Sequence, residues 1–185
     1  MRFEFAALGT VFSTRERGAK VRAQIEEALR ATSEREPLVL DFQGVQLISF
    51  SFADEVVGRL VAARSTGELG DRPILIINAG EEVVHPTASS MERRKLIVAC
   101  LQPDGIKLIG AAGHIQATFD AATARGEFRT PELAADLGTN VQALNNRLKP
   151  LLVAGLLVRQ SGIPRSGGRE YVYRIALPSA EAAAV

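Results

Sequence analysis

Apolar residues in the first part of the chain fall into two kinds of run. "PLVLDF", Pro37 to Phe42, and "RPILIIN", Arg72 to Asn78, are compact and lack polar alternation. Such runs predict strands buried on both faces of a largely parallel sheet. Between them the apolar positions recur at helical spacing. Val21, Ile25, Ala28 and Leu29 follow "STRERGAK", and Phe52, Val56, Leu60 and Ala63 form a stripe that ends at Gly67. "FEFAAL", residues 3–8, reads as a short opening strand, a further helix is expected within residues 88–101, and "GIKLIGAAGH" holds a last short strand. Alternating strands and helices predict an α/β fold with right-handed crossovers and helices packed on the sheet, covering residues 1–110. "GAAGH", Gly110 to His114, reads as a linker.

The pattern then changes. "HIQATFDAATARGEF", "TPELAADLG" and "TNVQALNNRLKPLLVAG" predict three helices, the second capped by Thr130 with Pro131 at its first position. "LLVRQ" and "REYVYRIA" predict two strands joined by the tip "SGIPRSGG". Three helices and a hairpin are the plan of a winged helix-turn-helix, here residues 113–178, with 179–185 as a flexible tail. Val141, Leu144, Leu148 and Leu151 are expected to face the core. Gln142, Asn146 and Lys149 then face outward, flanked by Asn145 and Arg147. Pro150 predicts a kink or an end to regular helix. Asn and Gln pair bidentately with adenine in a major groove, and Arg with guanine.

Charge sharpens this reading. The whole chain carries a net charge of only +1, yet Asn140 to Pro178 holds six basic residues against Glu170 alone. Arg159, Arg165 and Arg169 flank or occupy the hairpin, where a wing meets phosphates. The expected duplex-DNA contacts are therefore Gln142, Asn145, Asn146, Arg147, Lys149, Arg159, Arg165 and Arg169.

Other chemistry is sparse. The 185 residues include one cysteine, Cys100, and two histidines, His85 and His114, far apart in sequence. No metal-ligand spacing, phosphate loop or catalytic constellation stands out, so no metal, no cofactor and no enzymatic activity is expected. Cys100 reads as a buried residue of an apolar helix. Asp41, ending a strand without a visible partner, reads as turn-forming, and "MERRKL", Met91 to Leu96, as a solvated helix face. The chain shows no long apolar run and no secretory leader, which predicts a cytoplasmic protein without a membrane span.

The junction "DFQGVQLISFSFADEV", Asp41 to Val56, places Ser49 and Ser51 where a strand gives way to an acidic helix. Ser51-Phe52-Ala53-Asp54 has the spacing of a capping box with Asp in the last place. Ser51 is then a helix N-cap, a modified residue, or both, because a phosphate at a helix N-terminus also suits the dipole. Ser49, Phe50, Asp54 and Glu55 offer an alternative role as an exposed, acidic-rimmed apolar surface that docks a partner.

"LLVAGLLVRQ" and "GREYVYRIA", with the order of elements over residues 113–177, resemble bacterial winged-helix regulators of the MarR and ArsR type. "LVLDFQGVQLISFSFADEVVGRLV" and "STRERGAKVR", within residues 8–78, resemble the STAS fold of anti-sigma-factor antagonists, and more closely the STAS-like family of unknown function. That resemblance implies that Ser51 stands at the phosphoacceptor position of a histidine-kinase-like ATPase. Ser49 stands at the family's Asp position and Phe50 at its first serine. Together the two resemblances imply a homodimeric DNA-binding transcriptional regulator whose STAS-like domain senses a partner protein or phosphorylation. A protein-interaction adaptor of the anti-sigma-antagonist type, without DNA binding, is the alternative.

Overall fold

The computed structural model describes residues 1–162 and 171–177. Contacts divide them into two compact units, Met1–Ala111 and Ala112–Leu177.

The first unit is built from strands β1 (Arg2–Glu4), β2 (Val11–Phe12), β3 (Leu38–Asp41), β4 (Leu47–Ile48), β5 (Ile74–Ile77), β6 (Val98–Gln102) and β7 (Gly105–Ile109). The main sheet has the order β1-β3-β5-β6-β7, parallel except for β7, which runs antiparallel to β6. β2 and β4 form a separate parallel pair with Val11 opposite Leu47. Every crossover steps in the same direction along the main sheet. Right-handed connections therefore place their helices on one face. These helices are α1 (Arg15–Leu29), the composite α2 (Phe50–Ala53), π-turn (Asp54–Gly58) and α3 (Arg59–Thr66), and α4 (Glu81–Arg94). Alternate strand residues Leu38, Leu40, Ile74, Ile76, Val98 and Cys100 meet them in one core. Four phenylalanines anchor it. Phe5 stacks on Phe42 at 4.2 Å between ring centroids, and Phe12 lies 4.8 Å from Phe52.

Local geometry corrects several expectations. The opening strand stops at Glu4, because Phe5 turns into the core and Phe5–Leu8 closes a 3-10 turn. The helix expected within 88–101 begins earlier, at Glu81, and ends at Lys95 in the left-handed region with φ +55°. Residues 98–102 then pair with β5 and β7, so Cys100 is buried in a strand, not a helix. Pro86 lies within α4 and masks its start in the sequence.

The second unit contains α5 (Gly113–Arg125), β8 (Phe128–Arg129), α6 (Thr130–Asp136), α7 (Val141–Val153), β9 (Leu157–Ser161) and β10 (Tyr171–Ile175). Its sheet is antiparallel in the order β8-β10-β9. Phe128 stacks on Tyr173 at 5.5 Å, over a core that includes Ile115, Phe119, Leu133, Leu144, Leu148 and Leu151. Gly138 takes φ +58° in the turn between α6 and α7, a conformation that favours glycine. Asn140 caps α7, its Oδ1 accepting from the Ala143 N–H at 2.7 Å.

Three expectations for this unit change. Arg129, not Thr130, holds the N-cap position of α6, and its N–H donates to Glu132 Oε2 at 2.9 Å. α7 runs through Pro150 to Val153, because the carbonyl left without a donor belongs to the solvent-facing turn at Asn146. Val141 is 43% exposed and does not join the core stripe.

Candidate functional site

Ser49, not Ser51, caps the helix after β4. Its Oγ accepts from the Phe52 N–H at 3.1 Å and donates to the Ser13 carbonyl at 2.7 Å. The pairing of Leu47–Ile48 with β2 ends the strand there, so the chain turns into the helix two residues before the expected cap. Ser51 lies half-buried in the first turn, and Phe50 is half-buried with the Arg93 guanidinium 6.0 Å above its ring.

Asp54 and Glu55 depart furthest from expectation. Read as an exposed acidic rim, they are instead 7% and 3% exposed. The π-turn is wider than an α-turn and seats both carboxylates between α1 and α4. Asp54 Oδ1 accepts from Arg94 Nε at 2.7 Å and from Ser90 Oγ at 3.1 Å, and Asp54 Oδ2 from Arg15 at 3.2 Å. Glu55 Oε2 meets Arg15 Nη1 and Arg59 Nε, both at 3.0 Å, and Oε1 meets Arg22 Nη2 at 3.3 Å. Every carboxylate oxygen is thus engaged, which suits charge neutralisation rather than proton transfer. Gly58 allows the approach: a Cβ there would fall 2.6 Å from Ser90 Oγ and 2.7 Å from Arg94 Nε.

Burial by itself would raise the Asp54 pKa, but hydrogen bonds from Arg94 and Ser90 outweigh it and hold the carboxyl below its ordinary value. A depressed folded-state pKa contributes stability above the unfolded value of about 3.9 and loses it as pH falls through the folded value. Urea midpoints are therefore expected to drop between pH 6 and pH 3 in the wild type. In Asp54→Asn the part of that drop due to Asp54 disappears; an unchanged pH slope in this variant removes the assignment.

Asp41 ends β3, 3% exposed. Its Oδ2 accepts from Arg2 Nε and Nη2 at 3.0 and 2.8 Å, and its Oδ1 from Asn78 Nδ2 at 2.8 Å and the Gln43 N–H at 2.9 Å. The carboxylate ties the turn after β3 to neighbouring strand ends. A hollow of about 580 Å³ opens beside Asn78, between the carboxyl ends of β5 and β6, with Gln102 on its wall.

The arginine partners of Asp54 and Glu55 escaped the sequence reading. Periodicity flags apolar faces, and a lone arginine on a helix carries no signal of its counter-ion. In "MERRKL" only part of the solvated-face expectation holds: Arg93 and Lys95 are exposed, whereas Arg94 turns inward to Asp54.

In the second unit, Gln142, Asn146 and Lys149 are exposed on α7, and Asn145 and Arg147 are half-buried beside them. Lys149 Nζ lies 3.4 Å from Asn146 Oδ1. Arg159 is exposed on β9, its guanidinium 4.8 Å over the Tyr171 ring. The β9–β10 register sets Arg159 opposite Tyr173 and Arg174 opposite Val158, so these two arginines point to opposite faces of the hairpin. Arg165 and Arg169 lie outside the described residues. Among the described residues no carboxylate is within ion-pair distance of Arg147, Lys149, Arg159 or Arg174, whereas Asp136 and Glu132 pair with Arg125.

No helix among the described residues is long and apolar enough to cross a membrane. Comparison with curated proteins and with solved structures gave no match. The mixed sheet with its packed helices fits a STAS-like domain, and residues 17–84, which carry most of α1, the Ser49 junction, and Asp54 and Glu55 with Arg22 and Arg59 but without Arg15, Ser90 or Arg94, match the family described as STAS-like domain of unknown function (DUF4325).

Proposed function

We propose that the chain is a cytoplasmic transcription regulator, not an enzyme, in which a STAS-like unit receives a signal and a winged helix-turn-helix binds duplex DNA. The observation that carries the proposal is α7. Leu144, Leu148 and Leu151 anchor one side in the core, while Gln142, Asn146 and Lys149 stand in solvent on the other. A helix reads a major groove with such a face, and Lys149 and Arg159, which pair with no carboxylate among the described residues, supply the phosphate attraction. The order of three helices and a hairpin, with β8 as third strand, supports the winged-helix reading. Two copies on a two-fold site would strengthen a face that carries little charge of its own.

The test is duplex binding by fluorescence anisotropy across a salt series. Affinity is expected to fall steeply with salt. Lys149→Ala and Arg159→Ala should each lower the slope of log affinity against log salt by about one, uniformly across sequences. Arg165→Ala and Arg169→Ala should behave alike. Binding that ignores salt and all four substitutions sinks the proposal.

One observation favours the adaptor reading. Val11 and Leu47 are 45% and 40% exposed and adjacent on the β2–β4 pair, next to Ser49 and Phe50. This patch would dock a partner protein such as a histidine-kinase-like ATPase. A phosphate on Ser51 would then sit one turn before Asp54 and Glu55, and would compete with them for Arg15. Arg15 is half exposed, so a phosphate could reach it from solvent. A chain that binds such a partner through Leu47 yet never retains DNA would favour the adaptor.

A further inference from the structure

We infer that α7 reads an A·T-containing half-site, with Gln142 and Asn146 pairing with adenine and Val141 packing on a thymine methyl. This inference rests on the DNA-binding reading of α7 and specifies what that helix recognises.

The outward stripe of α7 fixes which groups can reach a base. Positions 142, 146, 149 and 153 follow the i, i+4, i+7, i+11 rhythm of a single helix face. They hold two carboxamides, a lysine and Val153, and no arginine. Arg147, the one guanidinium of α7, stands outside this stripe and is half-buried. A stripe of this kind lacks the fork that reads guanine O6 and N7, and offers instead the amide pair that matches adenine N6 and N7. Lys149 also orients one of the amides. Its Nζ approaches Asn146 Oδ1 at 3.4 Å, which favours the rotamer that aims Oδ1 along the stripe. One lone pair of that oxygen and both Nδ2 hydrogens remain for a base.

Val141 is the second, separate observation. It stands at the first position of α7 and is 43% exposed, though its spacing relative to Leu144 and Leu148 suits the core. The N-terminal residues of a recognition helix are the ones that contact base edges. An apolar group beside an adenine-reading amide matches the thymine C5-methyl of an A·T pair, the only apolar group the major groove displays.

The experiment uses the full chain and a pool of duplexes with a randomised core, selected by binding at about 50 mM salt. The bound pool is expected to enrich A·T pairs at adjacent positions. Changing the adenine opposite Asn146 to guanine should weaken wild-type binding by about tenfold, while Asn146→Ala binds both duplexes alike. Replacing thymine by deoxyuridine at the neighbouring position removes only the methyl group. That change should weaken the wild type by about three- to fourfold and leave Val141→Ser unaffected. These comparisons alter the DNA at fixed protein, so misfolding of a variant cannot produce them. A bound pool without base preference, or one that enriches guanine contacts insensitive to Asn146, overturns the inference while the DNA-binding reading stands. A chain that retains no duplex at all overturns both.

Discussion

Replacing Glu55 by alanine is expected to lower the stability of the first unit by about 3 kcal/mol, the lower end of what breaking a buried ion pair costs. Three guanidiniums, those of Arg15, Arg22 and Arg59, converge on this carboxylate. Arg15 and Arg59 have about half their side-chain surface in solvent and can swing outward once released, whereas Arg22 is 23% exposed and is left with Glu26, 2.5 Å away, as its one remaining carboxylate among the described residues. Of the three, Arg22 is the least able to regain water, and its pair with Glu26 limits the loss to the lower end of that range. Glu55→Gln keeps the volume and one acceptor, and should recover part of the loss. Chemical denaturation of Glu55→Ala and of Glu55→Ala with Arg22→Ala separates the two contributions: the double variant should lose less than the sum of the single losses. Strict additivity would mean that the two groups do not interact energetically.

Phe52→Ala is expected to destabilise the same unit by about 3–5 kcal/mol, the usual range for deleting a fully buried aromatic ring. Phe52 is 0% exposed and packs against two of the other three phenylalanine rings that anchor the core, Phe5 with centroids 6.2 Å apart and Phe12 at 4.8 Å. The neighbours are themselves large, and Gly18 of α1 lies so close that a Cβ added to it would fall 3.5 Å from the ring edge. Collapse into the vacated space is thereby limited. The urea midpoint should fall with little change in slope. A loss below about 1 kcal/mol would show that the phenylalanine cluster repacks, contrary to a tightly filled core. Phe52→Leu, which retains most of the volume, should lose about half as much.

The elements legible in the sequence were those whose periodicity is set by burial. "PLVLDF" and "RPILIIN" are strands β3 and β5 because both faces of the sheet demand apolar side chains there. α7 kept its predicted inner and outer faces at Leu144, Leu148, Gln142 and Asn146 for the same reason. What could not be read depends on partners distant in the chain. β8 is two residues long and exists only because β10 returns beside it. Asp54 and Glu55 resemble any acidic first turn until Arg15, Arg22, Arg59 and Arg94 arrive from three helices. The cap moved from Ser51 to Ser49 because a pairing thirty-six residues away, Ile48 with Phe12, decides where the strand ends. In each of these cases a tertiary contact outweighed a local preference worth about 1 kcal/mol.

Residues 52 to 58 are all buried, seven in succession, across the π-turn. Successive residues on an ordinary helix fan out by about 100° and soon reach solvent. The widened loop absorbs one surplus residue and so sets the phase of everything that follows it up to Thr66. This stretch should accept many changes of side chain but no change of length. Deleting either Val56 or Val57 would restore ideal spirals and rotate Arg59, Leu60 and Ala63 away from their partners. Homologous chains should therefore preserve the residue count between Ser49 and Gly67 even where identities drift.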